Sequence, residues 1–228
     1  MTKTTVSLAA ALSLLGVPAS KAETTVAPWI AGSARFGTYS MEDVNEDIRN
    51  FDALVSASFD EINNGFGFGG AAGLSLGSGV DIAARYERML ASSDVSDQTG
   101  SLEYDFAANA FYGTLEYRSL SASGPSFGIG AGAGIVSSAG DVEVSLTGLG
   151  AASGDVEGSG PLLQVFGLVD FAPRSRASVV VLGGYRYAKA SSVKLDGVPI
   201  ENQDGSDFDV DYSGLIVGAE LRIRLSSD

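Results

Sequence analysis

The chain contains no histidine and no cysteine. Without histidine it lacks the side chain best suited to moving protons near neutral pH. Without cysteine, neither disulfides nor thiolates can support a fold or a reaction. No stretch after the amino end approaches 18 consecutive apolar residues, which excludes a helical membrane span there. Positive charge is scarce as well: 14 Lys and Arg stand against 28 Asp and Glu, a net charge of −14. A chain this acidic repels phosphate polyanions, so nucleic acid is not an expected partner. No internal repeat of fixed length is present.

What is there begins with a leader. Lys3 opens the chain with positive charge, residues 6–17 are apolar or small, Pro18 breaks the run, and Ser20-Lys21-Ala22 places small residues at a cleavage site. Residues 1–22 therefore read as a cleaved secretory signal peptide, and residues 23–228 as one exported domain. Cleavage removes Lys3 and Lys21 and no acid, so the net charge moves from −14 to about −16. The 30 glycines are spread through apolar segments instead of being gathered in a linker, which argues against disorder.

Apolar residues recur on alternate positions, the period of a strand. In 212–225, Leu215, Val217, Ala219, Leu221, Ile223 and Leu225 share one parity, against Gly214, Ile216, Gly218, Glu220, Arg222 and Arg224 on the other. The same pattern marks 29–39, 65–76, 80–90, 103–118, 126–136, 162–171 and 178–187. Asn109 falls on the apolar parity of its segment, which suggests a bulge nearby. Connections alternate long and short. The long ones are 40–64, 91–102, 137–161 and 188–211; the short ones lie near 77–79, 121–125 and 172–177. Segments of 9–11 residues or more fit tilted membrane strands better than ordinary ones of about 5–6. Trp29, Tyr117, Phe127 and Phe171 fall toward the short turns, and Tyr39, Phe66, Tyr86, Tyr185, Tyr187 and Tyr212 toward the long loops. That distribution suggests two interfacial aromatic girdles. The expected fold is all-β: a closed antiparallel up-and-down transmembrane barrel of about eight strands, with tight turns at one end and long loops at the other.

With this architecture the chain resembles the small outer-membrane β-barrel families, the OmpA transmembrane domain, OmpX and OmpW-like proteins. The resemblance implies a Gram-negative outer-membrane location, outer-membrane lipid, lipopolysaccharide and the insertion machinery as partners, and a monomer. Barrel enzymes of that membrane work through histidine, so the chain is not expected to be an enzyme. Such barrels usually end on an aromatic residue, whereas this chain ends Leu225-Ser226-Ser227-Asp228.

The inward parity collects Arg35, Asp81, Arg85, Glu87, Glu116, Arg118, Asp170, Arg186, Glu220, Arg222 and Arg224. In a barrel this narrow, side chains fill the interior, so these residues are expected to form a structural ion-pair network across the lumen. Inward glycines on the second and fifth strands leave space opposite, and Phe166, Leu168, Val180 and Leu182 would line an apolar sector in which a small lipophilic solute could sit. Ser40-Met41-Glu42-Asp43 reads as a capping box, followed by Val44, Ile48, Phe51 and Val55 at helical spacing, so a short amphipathic helix is expected in the first long loop. The acid-rich loops read as solvated surface. The run from Asp204 to Asp209 lacks the spacing of a calcium loop, so no metal and no cofactor is expected. Two glycine patterns, at 65–70 and 128–133, fit or nearly fit the dinucleotide fingerprint but lie inside strands, where no helix N-terminus can receive a pyrophosphate.

Three functions remain open. The first is a structural or surface-interaction barrel with acidic extracellular loops and a side-chain-filled lumen. The second is a narrow, porin-like channel or carrier for a small solute, lipophilic or not. The third is a soluble, lipocalin-like periplasmic carrier.

Overall fold

The computed structural model describes residues 26–55, 60–77, 79–96, 100–119, 124–146, 150–202 and 205–225; the signal peptide expected at 1–22 lies outside them. Its elements in order are β1 (Val26–Thr38), α1 (Glu42–Val55), β2 (Asn64–Leu76), β3 (Val80–Ser96), β4 (Gly100–Arg118), β5 (Ser126–Leu146), β6 (Gly150–Asp170), β7 (Ala177–Leu195), β8 (Val198–Pro199), β9 (Val210–Asp211) and β10 (Gly214–Arg224). Strands β1 to β7 pair antiparallel in sequence order. β10 then pairs with both β7 and β1, which closes a ring of eight strands.

Alternation sets which side chains meet the outside. Large apolar residues stay exposed around the ring: Ile30 and Phe36 on β1, Leu115 on β4, Ile129 on β5, Val165 on β6, Val217 and Leu221 on β10. A water-soluble barrel would bury such residues. Here they form a belt that hydrocarbon can cover. No helix among the described residues is long and apolar enough to cross a membrane.

The wall is lopsided. β1, β2 and β10 have 13, 13 and 11 residues, whereas β3 to β7 have 17, 19, 21, 21 and 19. Much of what reads as long loop, 91–102 and 137–161 above all, is therefore strand, and β7 takes up the start of 188–211. The physical reason is that these extensions stand clear of the belt. With water outside them, their outward positions are mostly Ser, Ala, Asp, Glu and Lys, and the apolar alternation that betrays a membrane strand stops at the lipid surface. Past β7, Asp196 and Gly197 both adopt positive φ (51° and 80°), the tight hairpin geometry that folds β8 back onto Lys194 and Leu195.

The bulge expected near Asn109 is not there. Pairing runs unbroken through Arg88↔Asn109 and Asn109↔Ser137. Asn109 faces outward in register, and its Oδ1 accepts a hydrogen bond from the Tyr86 hydroxyl at 2.8 Å. The register shift falls instead between β6 and β7, from Ser159↔Ser191 to Glu157↔Lys194. The extra residue there is on β7, where Ser192 has φ 54°.

Candidate functional site: a lumen filled in two layers

At the turn end the lumen holds the eleven charged residues named from the inward parity. Arg35 and Arg186 each place a guanidinium 2.8 Å from Glu87. Arg85 bridges Glu116 at 2.6 Å and Glu220 at 2.5 Å. Arg222 reaches Asp81 at 2.9 Å, Glu116 at 3.2 Å and Glu220 at 2.7 Å. Arg118 pairs with Asp81, with Glu116 at 3.1 Å and with Asp170 at 2.7 Å. Arg224 lies 3.7 Å from Asp170 at the rim. Most carboxylates contact more than one arginine, and each arginine's planar fork presents several donors at once. Removing water from charges is tolerable only with this degree of pairing.

Several members of this layer were not singled out by sequence. Tyr112 accepts a 2.8 Å hydrogen bond from Arg35 and donates one of 3.1 Å to Glu87; the Thr114 hydroxyl accepts one of 3.1 Å from Arg85 Nε. Both share the parity of Glu116 and Arg118 on β4, which is the signal that finds them. Trp29 is a correction. Expected in the turn-end girdle, it is buried in the lumen (1 % exposed), with Arg222 Cζ 3.8 Å from its ring centroid. It has the parity of Arg35, six residues on, so it points inward with Arg35. Tyr39 and Tyr212, expected in the loop-end girdle, are likewise buried and meet edge to face at 5.3 Å.

The inward glycines leave no open chamber. A Cβ on Gly73 would lie 2.4 Å from Trp29, on Gly67 2.8 Å from Glu87 Oε1, on Gly130 2.4 Å from the Phe166 ring and on Gly134 2.5 Å from Tyr112 Cβ. Small positions on one wall accept large side chains from another. The sector expected to hold a lipophilic solute, Phe166, Leu168, Val180 and Leu182, packs with Ile216 into a small apolar cluster of its own.

At the loop end a second layer follows, and it is apolar. α1 forms as its spacing predicts and lies within the extended wall: Val44 and Ile48, with Met41 just before the helix, are fully buried. They pack with Met89, Phe106, Val136, Leu162, Val193 and Val210, among others, in one cluster bounded below by Tyr39, Tyr112 and Tyr212. Phe51 and Val55 belong to α1, but their side chains lie outside the described set. The reciprocal capping box is not made. The Ser40 N–H donates to the Ser213 carbonyl (3.1 Å), and the first helical bond runs from Asn45 N–H to the Met41 carbonyl at 2.8 Å. Asp43 Oδ2 accepts instead from the Asp209 N–H at 2.8 Å and from Asn202 at 3.2 Å. Asn45 completes the anchorage by accepting from the Ile62 N–H and donating to the Ile62 carbonyl, at 2.8 and 3.2 Å.

Outside the belt, carboxylates dominate. Asp105, Asp141 and Asp155 are exposed and directly opposed across β4, β5 and β6. A hydrogen bond with Asp141, together with its charge, raises the Asp155 pKa above the ordinary aspartate value. Tyr104 is pushed up to about 12 by burial and, secondarily, by Asp47. No group of three or more such residues among those described could hold a metal ion. The candidate calcium run includes Asp204, which lies outside the described residues. Both glycine patterns sit within β2 and β5, away from any helix start.

No protein-family model matches the chain, and no curated protein matches it. Among solved structures it is similar to Neisserial surface protein A, at 15% identity and a TM-score of 0.49 over 87% of this chain and 98% of that one. It is also similar to Ail, the attachment invasion locus protein of Yersinia pestis, in complex with the heparin analogue sucrose octasulfate (15% identity, TM-score 0.42, over 87% and 98% of the two chains). The outer-membrane protease OmpT from Escherichia coli follows at 10% identity and a TM-score of 0.30, over 87% and 93%. The likeness stops at architecture. The eight-stranded ring rests on the chain's own strand pairings.

Proposed function

We propose that the chain is a monomeric, non-conducting barrel of a Gram-negative outer membrane that presents an acidic, water-exposed wall to the cell's surroundings and performs no catalysis. On this reading residues 1–22 are the export signal, the insertion machinery places the barrel, and outer-membrane lipid and lipopolysaccharide surround it. The observation that carries the reading is the filled lumen. Any ion entering from the loop end meets the buried side chains of Met41, Val44 and Ile48. Beyond them it meets arginines and carboxylates already committed to one another at 2.5–3.2 Å across the lumen. The Phe166 cluster supports no solute carrier, because its own side chains occupy the space beside it. The exposed belt speaks against a soluble, lipocalin-like carrier. The chain has no histidine, and the lumen carboxylates are each held by arginine, which leaves none of them free as a general base.

Planar-bilayer recording on the refolded protein tests this reading. The expected trace is flat; steady single-channel steps would reinstate the channel.

A further inference from the structure

The outer wall is not uniform, and one sector of it combines two surfaces that a single amphiphile needs. Within the belt, β4 to β7 enclose a trough of about 700 Å³ whose lining includes Gly113, Leu115, Ala131, Ala133, Leu163 and Tyr185. The trough exists because a row of small side chains, Ala84↔Gly113↔Ala133, crosses the wall. It ends against larger ones, Leu163↔Tyr187. Directly above, on β5, β6 and β7, lies a second hollow of about 580 Å³ whose lining includes Ser137, Ser159, Ser191, Ser192, Glu157 and Lys194. The strand registers stack the two: Ala133↔Leu163 floors the lower one, Ile135↔Pro161 is the next outward pair, and Ser137↔Ser159 begins the upper.

The upper hollow is shaped by the one register shift in the barrel wall among the described residues. The extra residue on β7 reverses the parity beyond Ser191. Val193 turns into the lumen, where it is fully buried, and both Ser192 and Lys194 are left exposed on the outside. Hydroxyls from three strands, a carboxylate and a cation thus gather at the height where the apolar belt gives way to water. Glu157 and Lys194 are exposed cross-strand neighbours, which sets an acceptor and a donor side by side at the hollow. On a wall otherwise dominated by Asp105, Asp141 and Asp155, a mixed donor and acceptor set suits a sugar with hydroxyl groups better than a bare anion.

We propose that this sector binds one glycolipid of the outer leaflet, with an acyl chain in the lower trough and a hydroxylated saccharide head in the upper hollow. The proposal rests on the reading of the belt as membrane-spanning. Apolar chain in the groove supplies affinity, and the serine hydroxyls with Glu157 and Lys194 select a sugar-bearing head over a simple phospholipid.

Native mass spectrometry of detergent-solubilised protein offered lipid A, or phosphatidylethanolamine alone, tests it. Lipid A is expected to be retained on the order of tenfold better, a difference of about 1.4 kcal/mol. Ala133→Phe, which fills the trough, and Lys194→Glu, which reverses the charge of the hollow, should each abolish that preference. Val217→Phe on the far wall should leave it intact. Unboiled gel mobility reports folding for every variant. Equal retention of the two lipids, or an undiminished preference in both A133F and K194E, overturns the site and leaves the barrel standing. A wild-type protein that folds and stays soluble without detergent overturns both.

Discussion

The Arg222 guanidinium lies 3.8 Å from the centre of the Trp29 ring and contacts Asp81, Glu116 and Glu220 on its other sides. Trp29, near the start of β1, thus packs against a guanidinium whose carboxylate partners come from β3, β4 and β10. An aromatic face attracts a desolvated cation, and the ring fills the space that Gly73 leaves on β2. Trp29 is the only tryptophan in the chain, so its fluorescence reports on this layer alone.

Iodide should therefore fail to quench the folded protein and should quench it strongly after unfolding. Trp29→Ala should lower stability by about 3–5 kcal/mol, the usual range for truncating a buried aromatic, read as a fall in the urea midpoint. Strong iodide quenching of the folded state would remove Trp29 from the lumen.

Glu116 contacts Arg85, Arg118 and Arg222 and is 1 % exposed. Neutralising it leaves guanidinium charge buried without its partner. Glu116→Gln should cost about 3–5 kcal/mol. Glu143→Gln, on the exposed part of β5, should change stability by less than about 0.5 kcal/mol. Equal effects in urea titrations would mean that the lumen is hydrated.

The apolar layer makes a separate demand. Ile48 is fully buried among residues of the wall. Ile48→Lys should undock α1 at a cost of roughly 3 kcal/mol or more, exposing the helix to limited proteolysis. The belt strands should stay resistant and the bilayer current should stay silent, because the ion-pair layer below is untouched. Protease resistance equal to wild type would place α1 elsewhere.

Asp155 titrates against Asp141. Because the folded-state pKa of Asp155 is raised, the folded hairpin binds a proton more readily than the unfolded chain does. Its contribution to local stability is present at low pH and declines as pH rises from the ordinary aspartate value through the raised one. Carboxyl-carbon NMR should place the Asp155 midpoint above that of an isolated aspartate, and Asp141→Asn should bring it back down. An unchanged midpoint in the variant would mean that Asp141 is not what raises Asp155.

The belt was legible in the sequence because lipid on one side and a polar lumen on the other impose a strict two-residue period. Phe127 to Ile135 shows it without a break and Leu215 to Leu225 breaks it only at the inward Ile216; the structure leaves the outward residues of both exposed as expected. The same rule carried Arg35, Arg222 and Glu220 into the lumen. Trp29 was misplaced by its residue type, although parity with Arg35 held the answer. Above the belt the rule inverts. The lumen there is apolar around α1 and the outside is wet, so the start of β6 shows small residues and acids with Val156 as its one large apolar side chain, and reads as loop. Neither the helix's position inside the wall nor the bulge at Ser192 leaves a periodic trace. Both are set by contacts between segments far apart in the chain.

Because the chain has no cysteine, one introduced thiol reports one position. In sealed vesicles, a membrane-impermeant maleimide should fail to label Ile129→Cys and Leu221→Cys, whose side chains face the hydrocarbon, and should label Glu143→Cys on the exposed wall. Rapid labelling of the two belt positions in intact vesicles would contradict a barrel that faces lipid with its apolar side chains.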